Sequence, residues 1–158
     1  YFFAKGDSVF GPMSRFLFAG MFISLFICTI YPNGTDLRPD IDTDKNVFAA
    51  LCGLLWGADT PTNVLPSIHV YNSIGICIGV FKSQSFRDRT KVKLISSIIC
   101  VLICLSTVFL KQHSCADVLA AAILAYGMYQ VVYEPVSADE LRERMAGRKL
   151  LPRRESDI

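Results

Sequence analysis

Histidine is scarce in this 158-residue chain, which has only His69 and His113. There are six cysteines, but no two are spaced as CxxC, and HExxH is missing. A zinc site draws three or four ligands from such residues, and a disulfide framework needs paired cysteines at suggestive intervals. Neither is expected here. Charged residues make up 19% of the chain, and they are missing from long stretches. The formal net charge is only +2, with the basic residues matched by Asp and Glu or explained by topology, so nucleic-acid binding is not suggested.

What fills those stretches is apolar. The chain is 52% hydrophobic with a mean hydropathy of +0.39, in unbroken runs unlike the patterned faces of a soluble domain. A hydrocarbon core of ~30 Å takes roughly 20 helical residues. Four segments approach that length: Ser14 to Ile30, Val64 to Phe81, Val92 to Leu110 and Ser114 to Tyr133. A fifth, Val47 to Trp56, is too short to span and predicts an interfacial or re-entrant helix. The expected fold is an all-α polytopic transmembrane helix bundle with one short interfacial helix. Cys28, Cys77, Cys100 and Cys104 fall within spans, as small apolar packers. Gly75 and Gly79 form a GxxxG pair, and Ala120, Ala121, Ala122, Ala125 and Gly127 give the last span further small residues for close helix approach.

Lys and Arg set the expected orientation, since short cytoplasmic loops collect them. Lys5 and Arg15 precede the first span, Lys82, Arg87, Arg89, Lys91 and Lys93 separate the second from the third, and Arg142, Arg144, Arg148, Lys149, Arg153 and Arg154 follow the fourth. The other side holds only Arg38, Lys45 and Lys111, with Asp36, Asp40, Asp42, Asp44 and Asp59. The 31–62 loop and the 111–113 turn are therefore expected outside the cytoplasm, and both termini inside. This suits a multi-pass protein of the plasma membrane.

Ionisable residues near membrane depth are costly and mark functional sites by default. Three clusters qualify, all on the outer side: Arg38-Pro39, then Pro66-Ser67-Ile68-His69, then Ser106 through His113 to Asp117. His113 and Asp117 are spaced i, i+4, so one helical face presents both if the fourth helix starts by His113. An aspartate there can hold the Nδ1 hydrogen and leave Nε2 as a nucleophile. His69 can protonate a leaving alkoxide or activate water. Arg38 and Lys111 offer positive charge to a phosphate, and Ser67 and Ser106 offer neutral donors. Taken singly, each cluster has a plainer reading: a helical His–Asp pair, a helix start with an interfacial histidine, a solvated arginine, a snorkelling lysine.

Together, these motifs resemble the type 2 phosphatidic acid phosphatase superfamily, which also includes lipid phosphotransferases such as sphingomyelin and inositol phosphorylceramide synthases. That family's pattern is Lys, six residues, Arg-Pro; then Pro-Ser-Gly-His; then Ser-Arg, five residues, His, three residues, Asp. Here Tyr31 stands in the place of the lysine, Ile68 in that of the glycine and Thr107 in that of the second arginine, with Lys111 the nearest replacement cation. The resemblance covers roughly residues 31–133. It implies a membrane lipid phosphate phosphatase acting through a phosphohistidine on a phosphomonoester or diphosphate ester. Catalysis would fall to His113, Asp117 and His69, and phosphate binding to Arg38, Ser67, Ser106 and Lys111. It further implies a phosphorylated lipid substrate drawn from the membrane, and no metal or organic cofactor. A lipid phosphotransferase is the alternative, since such departures occur in transferase-like branches. A non-catalytic membrane protein is the rival from another class, and it would be expected to carry polar residues through the depth of several spans.

The predicted organisation is a transmembrane catalytic domain over residues 1–134 and a charged cytoplasmic tail over 135–158, opened by a capping box at Ser137 to Glu140. The resemblance implies six spans where four are read, which would put two more before Tyr1.

Overall fold

A computed structural model describes residues 1–134; the tail expected at 135–158, with its capping box, lies outside the described residues. Five α-helices follow in order: α1 (Phe10–Ile30), α2 (Val47–Ala58), α3 (Ile68–Lys82), α4 (Thr90–Phe109) and α5 (Cys115–Tyr133). A single 3-10 turn, Gln84–Phe86, precedes α4. The all-helical expectation holds among the described residues.

The count of spans needs correcting. Three helices, α1, α4 and α5, are long and apolar enough to cross a membrane. The stretch read as the second span, Val64 to Phe81, is helical only from Ile68 to Lys82, and its 15 residues reach about 22 Å. Val64 and Leu65 are apolar, but Pro66 has no N–H to give and the residue before a proline is pushed out of the helical region. The helix therefore waits for Ser67, whose hydroxyl accepts the Val70 N–H at 3.4 Å as its N-cap. The first span errs the other way and begins at Phe10 instead of Ser14. Pro12 and Gly11 fall in its first turn, where the N–H groups have no helical partner to lose.

The short α3 is the central helix and packs against α1, α4 and α5. Its Tyr71 is fully buried, stacks on Phe16 of α1 with ring centroids 4.8 Å apart, and donates its hydroxyl to the Phe16 carbonyl at 2.7 Å. Gly20 makes room for that ring, because a Cβ there would overlap it. Gly75 and Gly79 likewise face α1, against Phe16, Leu17 and Met13, so the GxxxG pair is a packing surface as expected. Ala121 and Ala125 of α5 complete this core, whereas Gly127, expected to join them, has open space where a Cβ would sit.

α2 has no buried residue, which fits an interfacial helix. Asn46 caps its start, accepting the Ala49 N–H at 2.8 Å. Its end is tied to the α4–α5 hairpin: the Trp56 indole donates to the Leu110 carbonyl at 2.8 Å.

At the opposite end of the bundle, Asp7 joins the approach to α1 to the end of α3. Its carboxylate accepts from the Ser83 hydroxyl, the Ser85 N–H at 3.2 Å and the Val9 N–H at 3.1 Å. Those bonds, led by Ser83, hold its pKa far below the usual carboxylate range.

Candidate active site

Two backbone strands meet above the start of α3. Asn33 is the clasp: its amide oxygen accepts the Leu65 N–H at 2.9 Å, while its amide nitrogen donates to the Tyr31 and Leu65 carbonyls. An antiparallel bridge pairs Gly34 with Thr62. The Cys28 thiol, in the last turn of α1, reaches the Leu65 carbonyl at 3.5 Å. The 31–62 loop is thereby held over the start of α3 and one wall of a cavity is formed.

The other wall is the α4–α5 hairpin. Lys111 turns the corner with φ +57°, in the left-handed region. The Gln112 and His113 N–H groups both donate to the Thr107 carbonyl, at 3.0 and 3.1 Å. Ser114 then caps α5 in a reciprocal box: its hydroxyl accepts the Asp117 N–H at 3.3 Å, and Asp117 Oδ2 accepts the Ser114 N–H at 2.7 Å. The Ser67 N–H donates to the Asp117 carbonyl at 3.3 Å, which brings the starts of α3 and α5 together.

Between these walls is a cavity of about 100 Å³ lined by Asp59, Thr60, Thr62, Asn63, Val64, Ile68, His69 and His113. The two imidazoles meet edge to face with ring centroids 5.8 Å apart. His69 is exposed and His113 is buried. His113 Nδ1 lies 3.7 Å from Asp117 Oδ2, too far for a hydrogen bond, and it has no partner although it is buried. Burial pushes the His113 pKa down, and His69 adds to that; Asp117, the Val64 carbonyl and Asp59 oppose it.

The remaining expected site residues are placed less directly. Ser67 is fully buried, with its hydroxyl engaged as the α3 cap. The Ser106 side chain is exposed and donates to the Ile103 carbonyl at 2.8 Å. Its neighbour Thr107 is the one turned inward, 3% exposed. Lys111 is exposed and does not line the cavity. Arg38 does not line it either: its Nη1 donates to the Trp56 and Asp59 carbonyls at 3.1 and 2.6 Å, and its Nη2 lies 3.3 Å from Asp59 Oδ2. The same Oδ2 accepts from the Gln112 amide at 3.2 Å. Among the described residues no three His, Cys, Asp or Glu side chains gather as a metal cluster.

Asp59, Gln112, Trp56 and Asn33 were missed as site builders in the sequence. Only Trp56, the single tryptophan at the end of an interfacial helix, and Asn33, between Pro32 and Gly34 in a turn cluster, carried a signal that could have found them.

An all-helical integral membrane protein with two histidines facing one another in a cavity at one end of its bundle is the class that fold and site define. The sequence matches the PAP2 superfamily over residues 15–139, and the chain belongs to that superfamily. No curated protein and no solved structure shows significant similarity to it. Membership fits a lipid phosphatase or phosphotransferase.

Proposed function

We propose that the protein is a membrane lipid phosphate phosphatase in which His113 forms a covalent phosphohistidine. The observation that carries this reading is the buried, unpartnered Nδ1 of His113, with the Asp117 carboxylate 3.7 Å away. A small approach makes that contact a hydrogen bond, and catalytic bonds in empty sites are often long. With its hydrogen on Nδ1 and held by Asp117, His113 presents the Nε2 lone pair to phosphorus. The depressed pKa keeps that lone pair free at neutral pH.

The Nε2–P bond forms as the P–O bond to the lipid breaks, and the leaving alkoxide takes a proton from His69. His69 then removes a proton from water, the oxygen attacks phosphorus, and the N–P bond breaks to release phosphate. The start of α3 lines the cavity, and its dipole favours the negative charge that develops there; α5 begins two residues after His113. A lipid alcohol can take the place of water in the second step, which is the phosphotransferase reading. The distribution of Lys and Arg supports an extracytoplasmic cavity, and a plasma-membrane location is part of the same proposal.

The test is to trap the intermediate. His69→Ala, given p-nitrophenyl phosphate, whose leaving group needs little protonation, should accumulate a phosphoramidate on His113 after acid-free quenching and peptide mass spectrometry. His113→Ala should show none. Phosphate on His69, or no covalent intermediate during turnover, would overturn these roles, and the product masses with and without added alcohols separate hydrolysis from transfer.

A further inference from the structure

Asp59 lines the cavity, yet the reaction above gives it no part. It reaches the site from the end of α2, hydrogen-bonded to Arg38 of the 31–62 loop and Gln112 of the hairpin, and it shares the cavity with His113 of the hairpin and His69 of α3. Apart from the two imidazoles, it is the one ionisable side chain among the described residues that line the cavity. Arg38, the cation expected to bind phosphate, is engaged at both terminal nitrogens, with two backbone carbonyls on Nη1 and the Asp59 carboxylate on Nη2, while its buried Nε has no partner. A phosphate beside His113 therefore meets a carboxylate first, and the guanidinium behind it has its charge matched.

A second negative charge on that phosphate is costly. At the effective dielectric of a partly buried site, each added charge several ångströms from a carboxylate lowers affinity by a factor on the order of ten. We infer that Asp59 sets the charge of the phosphate this site accepts, admitting a singly charged phosphate ester and disfavouring a doubly charged one. The inference rests on the phosphohistidine reading and adds the substrate's charge class to it. Two sources share that chemistry: a phosphodiester, and a phosphomonoester that keeps its second proton, which it loses near pH ~6. In either case the atoms balance as before, with the ester oxygen leaving protonated by His69.

The test uses the purified full chain in detergent with two esters of one leaving group, p-nitrophenyl phosphate and methyl p-nitrophenyl phosphate. At pH 8 they differ by a methyl group and one charge. The ratio of kcat/KM for monoester over diester cancels titrations of the free enzyme, because both substrates meet the same protein. In the unmodified protein that ratio should fall by a factor on the order of ten between pH 5 and pH 8. Asp59→Asn keeps the shape and the acceptor for Gln112 but removes the charge, and it should raise the ratio at pH 8 by a similar factor. A monoester-to-diester ratio that is high at pH 5 and low at pH 8 identifies the protonated monoester as an accepted source, and a diester kcat/KM above that of the monoester at both pH values identifies the diester.

A ratio that is flat with pH in the unmodified protein overturns the inference, as does a variant whose ratio tracks the unmodified one. The latter marks Asp59 as structural, since a loosened Arg38 clasp slows both esters alike. If the variant does not fold, the pH series on the unmodified protein decides alone. Turnover with the wrong ratio removes only this inference, whereas no turnover of either ester and no label on His113 removes the phosphohistidine reading and the inference with it.

Discussion

Two buried aspartates, at opposite ends of the bundle, do opposite things with their surroundings. Asp7, 8% exposed, accepts three hydrogen bonds, from Ser83, Ser85 and Val9. Asp117, 5% exposed, accepts the Ser114 N–H and leaves the His113 Nδ1 beside it without a partner. Buried polar groups are nearly always paired, because an orphan costs about 1–3 kcal/mol. Asp7 itself follows that rule and fastens two helices. Beside Asp117 the rule is broken at His113 Nδ1, an atom of the group that the proposed chemistry needs.

The contrast is broken most forcefully at Asp117. Asp117→Asn keeps the shape of the α5 cap but cannot hold the imidazole tautomer, so kcat should fall by roughly 10⁴-fold, as when a triad aspartate is neutralised. Thermal stability should move by only about 1 kcal/mol. Steady-state rates and a melting curve in the same detergent check both, and equal losses in the two would erase the distinction between the ends.

Asp7→Ala is the mirror experiment. It strands buried donors, so stability should drop by about 3 kcal/mol while kcat per folded molecule stays as it was. The sign with pH is fixed: the folded carboxyl has a lowered pKa, so its contribution is complete above the unfolded value and is lost as pH falls through the folded one. Denaturant titrations at falling pH should show the unmodified protein losing its advantage over Asp7→Ala only in acid.

Arg38→Lys sharpens the comparison at the cavity's edge. A lysine cannot serve the Trp56 and Asp59 carbonyls and the Asp59 carboxylate at once, so kcat/KM should fall about tenfold, while Lys45→Ala leaves it unchanged. Equal, mild effects would detach Arg38 from the site. The smallest effect is in the pH profile. His113 is pushed down by burial, so the acid limb of kcat/KM should have its midpoint below the 6.5 of a free imidazole. A midpoint above 6.5 would mean that Asp117 outweighs burial in the working enzyme.

The histidine pair was legible in the sequence because the order of motifs brought His69 and His113 to the same end, but the shared helical face was not found: α5 begins at Cys115, so His113 stands before its cap and reaches Asp117 from the turn. Other features depended on information that is not local. Ser106 and Thr107 are one residue apart, about 100° around a helix, and only packing decides that Thr107 turns inward and Ser106 outward. Arg38 meets Asp59 across a separation of 21 residues that includes α2, a closure set by Asn33 and the bridge between Gly34 and Thr62. The length of α3 was misread because Val64 and Leu65 are as apolar as the helix they precede, and hydropathy does not register the N–H that Pro66 lacks.

That short helix also sets a depth. Asp7 and Ser83 bring the start of α1 and the end of α3 to a common level. From there α1 rises about 31 Å over 21 residues and α3 about 22 Å over 15. The extended stretch before α3, tied to Cys28 near the top of α1, covers the remaining height of about 9 Å. His69, on the first turn of α3, therefore lies below the level of the end of α1. The bundle acts as a ruler with one rod cut short: in the proposed reaction a lipid headgroup would have to sink below the end of α1 to reach the two imidazoles, and the water that completes the reaction would have to follow it down.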